Sequence, residues 1–130
     1  MEQRGYEVED VSNNPDYWSK DIDFIITSPT TGLTKTFEVK WDSKISKTGN
    51  LYLELVNKNS AGLRGWWEFS KADYLVYGDA ERKIFYVFDL EELRQVVKKK
   101  PKELANCGSD SIGYLVPIAS LKGLYGLIEI

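Results

Sequence analysis

The sequence contains no histidine and only one cysteine, Cys107, among its 130 residues. The absence of histidine excludes Ser-His-Asp and Cys-His catalysis and removes most catalytic zinc sites. A lone cysteine cannot form an internal disulfide and is typical of a reducing, intracellular compartment. Any catalysis must therefore depend on carboxylates, lysine, tyrosine or hydroxyl groups, and the metal that suits such groups is Mg²⁺ or Mn²⁺.

Long apolar runs are also lacking, and none approaches the ~20 residues of a membrane span. Residues 1–10 are polar and acidic, so we expect neither a signal peptide nor a membrane partner. The net charge of −3 argues against binding of nucleic acid by charge alone, although metal ions can neutralise an acidic site. With no repeat or linker in the pattern, we predict one folded domain over residues 1–130.

Strand patterns dominate the middle of the chain. Residues 21–27 form a short apolar run that ends at the turn sequence 28–32. Residues 35–41 alternate with a period of two, as expected for the returning strand of a hairpin. A further strand is predicted at 51–56, where Leu51, Leu53 and Leu55 face one way and the residues between them face the other. Strands are also predicted at 72–77 and 84–88, with one or two short strands between residues 112 and 130.

One helix is predicted after the central strands. Asp89 is a suitable N-cap, with Glu92 three positions on, and the helix must stop before Pro101. Its apolar stripe consists of Leu90, Leu93, Val96 and Val97. We therefore predict an α+β fold with a mixed sheet of about five strands and few helices.

Two local features complete the predicted fold. A turn is expected at Gly78 and Asp79, followed by the charged tip 80–83. Trp66 and Trp67 are assigned to an extended segment, where neighbouring side chains point in opposite directions and one of them lies in the core.

Asp23, Glu38 and Lys40 form the most informative constellation. Glu38 and Lys40 lie two residues apart on a strand and therefore project from one face. A paired strand ~5 Å away can bring Asp23 to the same face. Two carboxylates at that separation can share a divalent cation, with an ammonium within reach of a water or phosphate oxygen. Phosphodiester hydrolysis requires these groups.

The acidic strand DIDFII, a turn and the strand FEVK resemble the core of the PD-(D/E)XK nucleases, the restriction-endonuclease-like fold. The resemblance covers about residues 6–89, and its specific part is these two strands. It implies an αβββαβ core and metal-dependent cleavage of DNA. It also implies metal ligation by Asp23, Glu38 and the carbonyl of Val39, with Lys40 as the catalytic lysine. Residues 65–77 are also similar to small nucleases of this family that are encoded by phages and mobile elements.

Three points stay open in this interpretation. Asp21 shares a face with Asp23 and competes with it for the role of principal metal ligand. Asp23 is favoured because it stands immediately before the apolar run, and Asp21 is then either a further carboxylate near the metal or a solvated residue. Glu54 lies on an apolar strand, where burial of a charge is expensive, and is either a further metal ligand or directed outward. The family's first helix corresponds only to residues 1–11, with 4–8 as its end, so it is vestigial, trimmed, or supplied by a second protomer in a homodimer.

Basic and aromatic residues that could contact DNA are scattered along the chain. Lys44 and Lys47 follow the Glu-Val-Lys strand and are either phosphate contacts or solvated loop residues. Arg64 and Lys71 flank Trp66, which either stacks on an unpaired base or packs in the core.

The predicted function is a Mg²⁺- or Mn²⁺-dependent nuclease of DNA, acting as an endonuclease and encoded by a phage or mobile element. Two alternatives accompany it. One is a catalytically inactive module of the same fold that binds nucleic acid or a protein. The other is a structure-selective nuclease similar to Holliday-junction resolvases.

Overall fold

The computed structural model describes residues 7–18, 20, 22–58, 65–99, 103–106 and 111–129. The strands in these ranges are β1 (Glu7–Asp10), β2 (Phe24–Thr27), β3 (Thr34–Asp42), β4 (Asn50–Asn57), β5 (Tyr74–Asp79), β6 (Ile84–Asp89), β7 (Glu103–Asn106), β8 (Ser111–Pro117) and β9 (Tyr125–Glu129). The helices are α1 (Pro15–Trp18), α2 (Ile45–Thr48), α3 (Trp66–Phe69) and α4 (Leu90–Lys98), with a 3₁₀ turn at Ile118–Leu121.

Six strands form a mixed sheet in the order β1-β2-β3-β5-β6-β9. Its neighbouring strands are antiparallel except β3 and β5, which are parallel and therefore need a crossover. The crossover contains β4, which joins β8 and β7 in a second, three-stranded antiparallel sheet. The predicted α+β class, with a mixed sheet and few helices, is confirmed. The main sheet has one strand more than expected, and the second sheet was not predicted.

One hydrophobic core unites the two sheets and α4. On β4 the predicted alternation holds as far as Glu54, since Leu51 and Leu53 are fully buried while Tyr52 and Glu54 are half-buried. It breaks at an irregularity between Glu54 and Val56, where Leu55 is only half-buried. Each buried leucine side chain contributes about 1.5–3 kcal/mol relative to an exposed one. The fully buried members from the main sheet, the small sheet and α4 are Leu75, Phe88, Leu51, Leu53, Val116, Leu90, Leu93 and Val97.

The helix α4 follows its sequence signals closely. The Asp89 carboxylate accepts a hydrogen bond from the N–H of Glu92 at 3.0 Å, which satisfies one amide of the first turn. The helix ends at Lys98, before Pro101. Among the described helices, none has the length and apolar character needed to cross a membrane.

The predicted turn at Gly78 and Asp79 is wrong. Gly78 and Asp79 belong to β5, and the turn begins only at Ala80. The Asp79 carboxylate accepts hydrogen bonds from the N–H groups of Glu81 and Arg82 at 3.1 Å, so it closes the turn from the end of the strand.

The first described residues and the tryptophan pair also differ from expectation. Glu7 and Val8 lie in the edge strand β1, with Val8 opposite Ile26, rather than at the end of a helix. Trp66 and Trp67 lie in the short helix α3, and both are buried, with 6% and 5% exposed. A four-residue helix presents adjacent side chains about 100° apart, so both rings can enter the core.

The entry into α3 requires a glycine. The N–H of Gly65 donates to the carbonyl of Leu55 at 3.1 Å, and a Cβ there would lie 2.6 Å from the carbonyl carbon of Leu55. Gly65→Ala should therefore destabilise the fold by about 3 kcal/mol, the upper range for overpacking. Chemical denaturation measures this. Gly126→Ala is the matched control, because no atom lies within 4 Å of the added methyl. Equal stability of Gly65→Ala and Gly126→Ala would contradict the prediction.

Candidate metal and active site

The predicted hairpin of β2 and β3 is confirmed. The strands are antiparallel with Phe24 opposite Phe37, and the N–H of Asp23 donates to the carbonyl of Phe37 at 2.8 Å. Continuing this register by one residue places Asp23 opposite Glu38, and directly opposite residues share a face. Because Lys40 is two residues from Glu38, the structure brings all three side chains to one face of the main sheet.

Glu38 is buried because this face is the core face of the sheet. Its partner in β5 is Leu75, which is fully buried, and Glu38 itself is only 2% exposed. A buried carboxylate needs a charged or hydrogen-bonding partner. Lys40 supplies one, with its Nζ 2.6 Å from Oε1 of Glu38.

The Lys40 side chain connects this buried pair to solvent. It is 32% exposed, against 3% for the side chain of Glu38. Its ammonium also lies 5.5 Å from the centroid of the Trp66 ring, within the range of a cation–π contact. Two partners therefore fix the position of the ammonium, while part of the Lys40 side chain stays accessible to solvent.

Asp23 is oriented by the backbone of β3. The N–H of Val39 donates to Oδ2 of Asp23 at 2.8 Å, while Oδ1 accepts no hydrogen bond from a described residue. The N–H and C=O of one strand residue point to the same side. The Val39 carbonyl therefore points toward the beginning of β2, where the Asp23 carboxylate lies.

These groups fit a hard divalent cation. Two carboxylates placed directly opposite each other repel, and a cation between them removes that repulsion. Mg²⁺ is commonly held by one or two carboxylates, with waters and substrate oxygens as its other ligands. In the described ranges no three Asp, Glu, Cys or His side chains are grouped to hold a metal. The candidate donors that the sequence analysis proposed and the structure places near one another are the carboxylates of Asp23 and Glu38 and the carbonyl of Val39.

The other two proposed ligands have different outcomes. Asp21 lies outside the described residues. Glu54 accepts a hydrogen bond from Ser111 at 2.9 Å and lies 3.5 Å from the side-chain amide of Asn57. It belongs to a polar network of the small sheet, and the structure does not group it with Asp23 and Glu38.

The proposed DNA contacts are only partly brought together. Lys44 lines the same pocket as Lys40. Lys47 is directed to the β5–β6 turn, where its Nζ is 4.0 Å from Glu81. Lys71 is exposed in the connection before β5. Arg64 lies outside the described residues.

A pocket of about 420 Å³ lies beside Lys40, where β3 ends and β4 begins. Its lining residues are Lys40, Trp41, Asp42, Ser43, Lys44, Thr48, Asn50, Tyr52, Trp66, Tyr77 and Leu115. The Tyr77 hydroxyl fixes one wall, since it donates to Asp42 at 2.5 Å and accepts from the N–H of Tyr52 at 3.0 Å. The sequence interpretation missed Asn50 and Tyr52. The available signal was a polar and an aromatic residue on the face of β4 opposite to the buried Leu51 and Leu53.

No protein-family model, curated protein or solved structure matches the chain. The assignment of a function therefore depends on the geometry of this site and on the resemblance of its two strands.

Proposed function

We propose that the protein is a Mg²⁺- or Mn²⁺-dependent endonuclease of DNA with the restriction-endonuclease-like core. The observation that carries the proposal is the convergence of Asp23, Glu38 and Lys40 on one sheet face, with the Val39 carbonyl directed to the same point. The topology agrees with the expected core in its three antiparallel strands, β1 to β3, followed by a crossover to the parallel strand β5. The crossover differs from that core, because its described residues, 43–58 and 65–73, contain β4 and two four-residue helices and no long helix.

The residues of the site would divide the work of hydrolysis. The carboxylates of Asp23 and Glu38, with the carbonyl of Val39, would hold the metal ion. When bound, the ion polarises a phosphoryl oxygen and lowers the pKa of a water. Lys40 would place its ammonium against the charge that develops on the phosphate and orient the attacking water. Burial of Glu38 and the Trp66 contact keep that ammonium in place before substrate arrives.

A second candidate is a non-enzymatic module that binds nucleic acid or a protein. The Glu38–Lys40 ion pair and the Asp23–Val39 hydrogen bond favour it, because both carboxylates have a protein partner without a metal. On this interpretation the three side chains stabilise the hairpin and perform no chemistry.

Cleavage of circular DNA separates the two candidates. We expect the purified protein to open circular single-stranded or double-stranded DNA in Mg²⁺ or Mn²⁺ and to leave it intact in EDTA, since circles resist exonucleases. Glu38→Gln should abolish opening, whereas Glu68→Gln, an exposed change in α3, should not. Intact circles under all metal conditions would reject the nuclease. Preferential cutting of a four-way junction would select the resolvase-like alternative.

A further inference from the structure

We propose that the pocket beside Lys40 binds one unpaired nucleobase of a DNA strand, next to the phosphate positioned at Asp23 and Glu38. This inference rests on the nuclease function proposed above and names its substrate class. Lys40 connects the two places, because it contacts Glu38 at 2.6 Å and also lines the pocket. A concave site with aromatic walls and a few polar groups is typical of small-ligand binding.

Tyr52 provides a fixed aromatic surface in this pocket. Its ring lies along β8 over Gly113, where an added Cβ would be 2.7 and 2.8 Å from ring atoms. Its hydroxyl is 2.6 Å from Oγ of Ser111, which in turn donates to Glu54 at 2.9 Å. One side of the ring therefore rests on the small sheet, and Tyr52 is also one of the residues that line the pocket. Stacking of a base on such a ring raises affinity by about 5- to 150-fold.

Asn50 supplies a polar group beside that ring. It lies two residues before Tyr52 on β4, so both side chains project from the same face. Its backbone N–H donates to Thr48 at 3.2 Å, but its side-chain amide makes no hydrogen bond with any described residue. An amide offers a donor and an acceptor side by side, which matches the edge of a nucleobase.

Two lysines and one carboxylate line the pocket. The exposed Lys44 forms no ion pair with the described residues and is placed to meet a phosphate beside the base, whereas the Asp42 carboxylate accepts hydrogen bonds from the Tyr77 hydroxyl and the N–H of Lys44. A stacked and paired base cannot enter a pocket of this kind without leaving the helix. The substrate should therefore present an unpaired nucleotide at the scissile phosphate, as in a single strand, a bulge or a flap.

Binding to duplexes that contain 2-aminopurine tests the inference. The probe base is placed either in a one-nucleotide bulge or in a fully paired position, and emission is titrated with wild-type protein in EDTA. We expect the bulged duplex to bind at least about tenfold more tightly than the paired one, with a change in emission at saturation. Equal affinity for both duplexes would overturn the inference.

Pocket variants give the second readout. Asn50→Ala should weaken binding of the bulged duplex about fivefold, the effect of one lost hydrogen bond, and leave the paired duplex unchanged. Asn13→Ala, an exposed change in the turn after β1, should behave as wild type. Tyr52→Leu keeps the apolar volume but removes the aromatic ring, and should also lose the preference. Retention of the full preference in Asn50→Ala and Tyr52→Leu would reject the pocket.

Failure of the inference and failure of the nuclease proposal can be told apart. The titration in EDTA requires no cleavage, so the base preference can be present in a protein that cuts nothing. Conversely, metal-dependent opening of circular DNA without any preference for an unpaired base would refute the pocket and leave the nuclease standing.

Discussion

Asp23→Asn should abolish both metal binding and cleavage while leaving the fold intact. The asparagine oxygen can still accept the hydrogen bond from Val39, which is 2.8 Å long in the wild type. The substitution removes the charge of one of the two carboxylate ligands, and the loss of transition-state stabilisation by a bound metal is several kcal/mol, or about a thousandfold in rate. Titration calorimetry with Mn²⁺ and single-turnover cleavage measure the two effects.

Thermal unfolding provides an independent check on the same variant. Metal at 100 times its Kd should stabilise the wild type by about 2.7 kcal/mol and should not stabilise Asp23→Asn. Asp16→Asn is the matched control, since Asp16 is an exposed aspartate in α1 that has no part in the proposed site. Equal metal-induced stabilisation of wild type and Asp23→Asn would remove Asp23 from the site.

The hairpin and its acidic face could be predicted because the signals are local. Period-two alternation placed Glu38 and Lys40 on one side of β3, and a clear turn set the antiparallel return from β2. The burial of Glu38 could not be predicted in this way. It depends on Leu75, which pairs with Glu38 only through the crossover from β3 to β5.

The small sheet illustrates what local patterns cannot provide. The strand β4 was predicted from its alternating leucines, yet its partner β8 lies about sixty residues further along the chain, and β7 pairs with the other edge of β8. No pattern within β4 specifies that partner. The pocket and its Tyr52 surface arise from this pairing, because the ring needs the space left by Gly113. They were therefore missed.

The error at Gly78 has a similar physical origin. Gly-Asp is a frequent turn signal, but in this chain the glycine continues β5. A Cβ at Gly78 would lie 2.8 Å from atoms of the Trp41 and Phe85 rings, which pack against each other across the strand. The requirement for a glycine thus comes from a tertiary contact rather than from a turn.

Lys40→Ala should slow the chemical step by two to three powers of ten, the scale of one preorganised charge. Its ammonium has a second role, because it is 2.6 Å from a carboxylate that is almost fully buried. The variant should therefore also lose about 1–2 kcal/mol of stability. Single-turnover cleavage at saturating protein, well below the unfolding temperature, measures the rate without this contribution.

The control and the conservative variant separate the catalytic from the structural role of Lys40. Lys35→Ala changes an exposed lysine on the opposite face of the same strand and should affect neither rate nor stability. Lys40→Arg keeps a cation for Glu38 and should restore much of the stability. It should restore little of the rate, because a planar guanidinium does not replace a compact ammonium. If the role of Lys40 is only structural, Lys40→Arg should restore the cleavage rate and the stability together. If Lys40→Ala cleaves as fast as wild type under single-turnover conditions, Lys40 serves only to neutralise Glu38.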